Sequence, residues 1–272
     1  MLAITGPSGC GKSTIAAAIG AALESQMDVR FVHGDSFFVG PKPSSYWTQE
    51  NKDHPGAIDI VALRSAVVSA AAAPSPPAVS QRRRLVLLEG FLLLHDAPLM
   101  ANVDAVLFLR ANAATCLNRR LARSERTEHE ASGLVQYYHN CVWPGFLKYT
   151  EAAYEALVRD GTKATAEVDA SAKLEDVVQR ALRALPAVLP AELQTCVAVA
   201  APTSTSGPPR PPDATATAPS RPARAAGAAR PASAITPLSE EERRRLFAKY
   251  GQLKAPTPAE MAEVSRAGCK MQ

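Results

Sequence analysis

The stretch Gly6-Pro7-Ser8-Gly9-Cys10-Gly11-Lys12-Ser13 decides the reading of this chain. It matches G-x-x-x-x-G-K-[ST] at every fixed position, the pattern of a loop whose backbone N–H groups cradle phosphates. Its surroundings agree with that reading. Leu2-Ala3-Ile4 is a short apolar run, as a buried strand entering the loop would be, and Thr14 to Leu23 carries Ile15, Ile19, Ala22 and Leu23 at helical spacing. A strand, a glycine-rich turn and a helix N-terminus together make an anion site, because free N–H groups and the helix dipole point at the same place. The nucleotide cradle is therefore expected to use Gly6, Ser8, Gly9, Cys10, Gly11, Lys12, Ser13 and Thr14. Lys12 would reach the β- and γ-phosphates of ATP, and the Ser13 hydroxyl would hold Mg²⁺.

Working outward, the chain has 272 residues, 47% of them hydrophobic, which is enough for a sizeable core. The formal net charge of +4 is unevenly placed. Residues 1–200 hold 19 Lys/Arg against 20 Asp/Glu, and residues 201–272 hold 11 against 6. The first part is thus near neutral and shows no footprint for nucleic acid. Five cysteines, Cys10, Cys116, Cys141, Cys196 and Cys269, have neither metal-site spacing nor a paired framework and read as reduced thiols. No signal peptide and no membrane span is evident, so the expected location is cytoplasmic.

Residues 1–195 alternate short apolar runs with helical patterns, the signature of an α/β domain. Strands are expected at Val29–His33, Leu85–Leu88, Val103–Leu109 and Glu167–Asp169. Helices are expected at Asp59–Ala72, Ala113–Arg123 and Leu174–Leu185, with a mostly helical stretch from Gly133 to Val158 interrupted near Pro144. Arg82-Arg83-Arg84 reads as a solvated loop. Residues 196–237 are dominated by Ala, Pro, Thr, Ser and Arg and are expected to be a disordered linker. In residues 238–272, Ser239 and Glu242 suggest a capped short helix. This tail is either a docking peptide for a protein partner or a dispensable extension.

Several carboxylates and cations then fall where phosphoryl-transfer chemistry needs them. Asp35 follows the second strand, and ligands of open α/β sheets bind at the carboxyl ends of strands. It is the candidate to accept the proton of an attacking hydroxyl. Glu89 ends the apolar strand Leu85–Leu88, the position from which a carboxylate meets Mg²⁺ directly or through water. Arg119, Arg120 and Arg123 fall on or just after one helix. Arg119 and Arg123 are candidates to meet the charge of the transferring phosphoryl and Arg120 to bind the nucleotide; a solvated basic face is the alternative. Asp53 and Asp59 bracket a turn and could hold a ribose diol, although Asp59 is also a good helix N-cap. Tyr137 and Tyr138 could stack on a planar base or belong to the core.

Taken together these residues resemble the nicotinamide riboside kinases, within the wider uridine kinase and phosphoribulokinase group. The resemblance is carried by Gly6–Thr14, Asp35-Ser36-Phe37-Phe38, Glu89-Gly90-Phe91-Leu92-Leu93-Leu94, the Arg119–Arg123 helix end, and Val142-Trp143-Pro144-Gly145-Phe146-Leu147-Lys148-Tyr149. It covers roughly residues 1–190. It implies a P-loop kinase fold: a five-stranded parallel sheet flanked by helices, with a mobile lid. It implies transfer of the γ-phosphoryl of ATP to the 5′-hydroxyl of nicotinamide riboside, a small-molecule nucleoside, giving the mononucleotide used in NAD synthesis. Asp35 would then be the base and also hold the ribose, Asp59 would bind the ribose diol, and Tyr137 would stack on the pyridinium ring. Ser13 and Glu89 would serve the metal. Asn51-Lys52-Asp53-His54-Pro55 is closer to a segment of uridine kinases, which keeps a uridine or cytidine kinase as the alternative. The adenine-side loop is either Asp160–Lys163 or Val168–Ser171.

Overall fold

Five parallel strands run in the order β2-β3-β1-β4-β5. The computed structural model describes residues 1–39, 51–124, 126–190 and 194, and the expected linker and tail lie outside them. The strands are β1 (Leu2–Thr5), β2 (Met27–His33), β3 (Arg83–Glu89), β4 (Ala105–Arg110) and β5 (Ala164–Asp169). The helices are α1 (Lys12–Leu23), α2 (Ile60–Ala72), α3 (Ala97–Met100), α4 (Ala113–Leu121), α5 (Glu128–Tyr137), α6 (Trp143–Gly145), α7 (Ala152–Asp160) and α8 (Leu174–Val188). The five expected strands are all present, and the fold is that of a P-loop kinase. Among the described residues, no helix is long and apolar enough to cross a membrane.

The central strands are apolar without a break because both of their faces are covered. Alternate residues feed two separate cores. Leu2, Ile4, Leu85, Leu87, Leu107 and Leu109 pack with Ile15, Ile19 and Leu23 of α1 and Leu185 of α8. Ala3, Val86, Leu88, Val106 and Phe108 pack with Leu63 and Val67 of α2 and Tyr154 of α7. Phe108 and Tyr154 stack with ring centroids 4.0 Å apart. Because β1 lies between β3 and β4, the strand order reverses at β1, and a crevice opens at the carboxyl ends there. The register sets Ile4 beside Glu89 and His33 beside Glu89, so the ends of β1, β2 and β3 form one rim.

Three expectations need correction. The helical run is unbroken from Glu128 to Asp160 and starts before Gly133. Pro144 sits in α6 between two π-helical stretches, Tyr138–Val142 and Phe146–Glu151, whose wider turns accommodate its missing N–H. Arg82-Arg83-Arg84 is not a solvated loop: Arg83 and Arg84 belong to β3, and Arg84 Nε donates to buried Asp28 at 3.0 Å. Finally, α8 runs past Leu185 through Pro186 to Val188.

Candidate active site

The P-loop is shaped by glycines and left open at its helix. Gly9 has φ 101°, and a Cβ there would lie 2.4 Å from the Cys116 carbonyl oxygen, so only glycine lets the loop pack against α4. Gly11, with φ 102°, is the N-cap of α1, and no side chain accepts from that helix start. The first-turn N–H groups therefore remain for an anion. Lys12 is only 9% exposed, and its Nζ donates to the Gly6 and Pro7 carbonyls, each at 3.1 Å. It lies folded over the cradle, where a phosphate would replace those carbonyls. Thr14 is exposed in the first turn. Cys10 differs: its side chain is buried in the core, and burial pushes its thiol pKa up. Only its backbone is left to serve the cradle.

At the rim beside the cradle, Ser13 Oγ donates to Glu89 Oε2 at 3.1 Å. His33 Nδ1 meets Glu89 Oε1 at 3.0 Å. Glu89 is 3% exposed. Burial pushes its pKa up, but the His33 hydrogen bond, the Lys12 charge and the Ser13 hydroxyl outweigh this and hold it below the ordinary carboxylate value. The same hydrogen bond raises His33. Nearby, the Thr5 hydroxyl at the end of β1 is buried with no protein partner. A hydroxyl and an ionised carboxylate touching beside a phosphate cradle are hard oxygen donors, the set Mg²⁺ takes when it also binds phosphates. The residues therefore fit the metal.

Asp35 lies on the short 3₁₀ turn Gly34–Phe37 that follows β2, and its side chain reaches solvent. With Ile58, Gly90 and Phe91 it lines a cleft beside the rim. The Phe38–Ile58 bridge ties this turn to the segment carrying Asp53 and Asp59. Asp59 is the N-cap of α2, its Oδ1 accepting from the Ala62 N–H at 2.9 Å. That oxygen is committed to the helix, which favours capping over the ribose role. Asp53 is 6% exposed and accepts a 2.7 Å hydrogen bond from the Tyr137 hydroxyl. Tyr137 OH also accepts from the Lys52 N–H at 3.0 Å. Burial raises the Asp53 pKa, with the Tyr137 hydrogen bond pulling it partly back. Tyr137 is itself only 7% exposed. Sequence reasoning treated it as a stacking ring and did not foresee that its hydroxyl anchors a carboxylate 84 residues away in the chain. Tyr138 is fully buried in the core.

The three arginines have different fates. Arg119 donates to the Cys10, Ala170 and Ala172 carbonyls at 3.3, 2.6 and 2.9 Å. It joins α4 to the P-loop and to the loop after β5. Arg120 donates to Ser8 Oγ of the P-loop and lies over the Tyr138 ring at 5.9 Å. Arg123 is exposed in the turn after α4. Arg126, which the sequence did not single out, donates to the Arg120, Leu121 and Ser124 carbonyls and closes the end of α4. The two candidate adenine-side segments lie at opposite ends of β5. Gly161 ends α7 at the start of β5, whereas residues 169–172 lie at its carboxyl end, tied to the P-loop through Arg119.

A parallel sheet with a P-loop at its reversal point, a hydroxyl–carboxylate pair beside that loop and a second carboxylate in the turn after β2 make up a P-loop kinase fold. No family model matches the chain. It is similar to curated kinases. A uridine kinase of Mannheimia succiniciproducens is 26% identical over 172 residues, 56% of this chain and 80% of that protein. A uridine kinase of Salmonella newport is 28% identical over 176 residues, 56% of this chain and 81% of that protein. Among solved structures, a gluconokinase of Sinorhizobium meliloti aligns over 74% of this chain and 92% of its own, at 17% identity and a TM-score of 0.38. That last overlap is too distant to add to the strand order and the loop.

Proposed function

We propose that this chain is an ATP-dependent kinase that transfers the γ-phosphoryl of ATP to the 5′-hydroxyl of nicotinamide riboside. The observation that supports the reaction is the placement of Asp35 in the turn at the carboxyl end of β2, the strand whose last residue pairs with Glu89, the carboxylate that Ser13 meets beside the P-loop. In this reading the riboside lies over the carboxyl ends of the strands with its 5′-hydroxyl at Asp35. The carboxylate takes the hydroxyl proton as the new P–O bond forms, and the bond to the β-phosphate oxygen breaks to release ADP. Lys12 and the N-terminus of α1 meet the negative charge on the phosphoryl oxygens. Ser13 and Glu89 would hold Mg²⁺, which would supply positive charge against the charge developing on the phosphates. Asp53, fixed by Tyr137, holds the ribose hydroxyls.

The choice of a pyridine riboside rests on the Glu89–Leu94 and Val142–Tyr149 segments that resemble the nicotinamide riboside kinases. The buried carboxylate of Asp53 beside Tyr137 is also a favourable setting for a cationic ring. A second reading, a uridine or cytidine kinase, is favoured by the names of the curated relatives. The reaction itself is tested with Asp35→Asn. Turnover should fall by ~10²–10⁴-fold while ATP binding is retained, measured by coupled ADP release and by calorimetry. Near-normal turnover would remove Asp35 from the chemistry.

A further inference from the structure

The register of the sheet sets His33 beside Glu89, and the His33 imidazole occupies one carboxylate oxygen while Ser13 occupies the other. His33 does not touch the P-loop. It ends the edge strand β2, and its ring stands parallel to that of Phe31, two residues earlier on the same face, with centroids 6.0 Å apart and an interplanar angle of 3°. Phe31 in turn sits on α1 at Gly20, where a Cβ would lie 2.2 Å from the phenyl ring. A 42% exposed phenylalanine on an edge strand otherwise has no evident use. Gly20, Phe31, His33 and Glu89 form a continuous brace from the last turn of α1 to the carboxylate, while Ser13 connects the start of the same helix to its other oxygen.

We propose that His33, braced by Phe31, is a positioning residue that fixes the orientation of Glu89 for the metal. The proposal rests on the reading of Glu89 as a metal-side carboxylate. A glutamate at a strand end has three free torsions. A hydrogen bond to one oxygen removes most of that freedom and points the other oxygen at Ser13, the arrangement by which outer partners orient metal-binding carboxylates. His33 is invisible to a motif search because nothing in its neighbours announces it. The signal is the pairing register, which the sequence alone does not supply.

The test uses Mn²⁺ as the probe on the full chain with saturating ADP, following free Mn²⁺ by electron paramagnetic resonance. Four proteins are compared with the parent: His33→Ala, His33→Gln, Phe31→Leu and Glu89→Gln. Outer-partner loss typically costs 10–100-fold in metal affinity. His33→Ala should weaken Mn²⁺ binding by about tenfold, His33→Gln should recover part of it by donating from its amide, and Phe31→Leu should fall between. ADP affinity without metal should not change, which separates orientation from a general loss of structure. If Glu89→Gln weakens Mn²⁺ and both His33 variants bind it like the parent, the positioning role is wrong while the metal role of Glu89 stands. If Glu89→Gln itself leaves Mn²⁺ binding unchanged, the metal-side reading fails and the proposal falls with it.

Discussion

Asp53 sets the burial of a carboxyl against its charge. Its carboxyl is buried, and burial raises its pKa against the help of the Tyr137 hydroxyl. A raised folded-state pKa means the folded protein holds that proton more tightly than the unfolded chain, so stability is lost as pH climbs through this range and the deficit persists at neutral pH. Asp53→Asn should therefore raise the melting temperature at pH 7 while riboside binding is lost, seen by calorimetry alongside saturation kinetics. A lower melting temperature would mean the ionised carboxylate stabilises the fold. Tyr137→Phe removes the hydrogen bond to that carboxylate, a contact of about 1.5–3 kcal/mol for a charged acceptor. The KM for riboside should rise roughly 10- to 100-fold with little change for ATP. Losing the donor also lifts the Asp53 pKa further, so the acid limb of kcat/KM should move to higher pH in this variant. An unmoved limb would sever the link between the two residues.

At the scale of elements, the long helical run from α5 to α7 acts as a wall pinned to the segment that carries Asp53. Gly145 of α6 lies against the backbone of Asp53, and a Cβ there would come within 2.3 Å of the Asp53 carbonyl oxygen. Thr150 Oγ1 donates to the Phe91 carbonyl, and Arg110 on β4 pairs with Glu151 and Glu167. Gly145→Ala must displace the 51–54 segment, since the neighbour is backbone. The expected result is a higher riboside KM at nearly unchanged ATP KM, and equal effects on both substrates would contradict this placement. Such features explain which parts of the site the sequence made legible. The P-loop turn and the strand-end placements of Glu89 and Asp35 were readable because each is a short-range pattern: a glycine spacing, a carboxylate ending an apolar run, a carboxylate after a strand. The Tyr137–Asp53 bond, the His33–Glu89 pair and the carbonyl-binding role of Arg119 were not, because each depends on residues far apart in sequence brought together by packing. Asp59 shows the converse. Its capping role was visible from the residues alone.

For the molecule as a whole, unbroken apolar runs alternating with helical patterns made the architecture legible early, and Pro144 misled because a proline in a helical pattern normally signals a break. The far end of the sheet from the site is held by a charge cluster that the sequence presented as a solvated basic run. Asp28, 4% exposed, accepts from Arg30, Arg84 and Ser75. Burial alone would raise its pKa, but these three hydrogen bonds outweigh it and bring Asp28 from 3.8 down to about 2. A depressed folded-state pKa stabilises above the ordinary carboxylate value and is lost as pH falls toward about 2. Asp28→Asn should cost about 1–3 kcal/mol in urea unfolding at pH 7, because two partly buried guanidinium groups lose their counter-charge, and the difference from the parent should shrink in acid. Equal stability of the two proteins at pH 7 would show the cluster to be dispensable.

The most direct measurement is kcat/KM for nicotinamide riboside, nicotinic acid riboside, uridine and cytidine, taken side by side with saturating Mg²⁺ and ATP. Preference for the pyridine ribosides, with the mononucleotide as product, is the predicted result. Strong preference for uridine or cytidine would contradict the substrate assignment and make the Asn51–Pro55 segment the better guide, while phosphoryl transfer to none of the four would contradict the kinase reading itself.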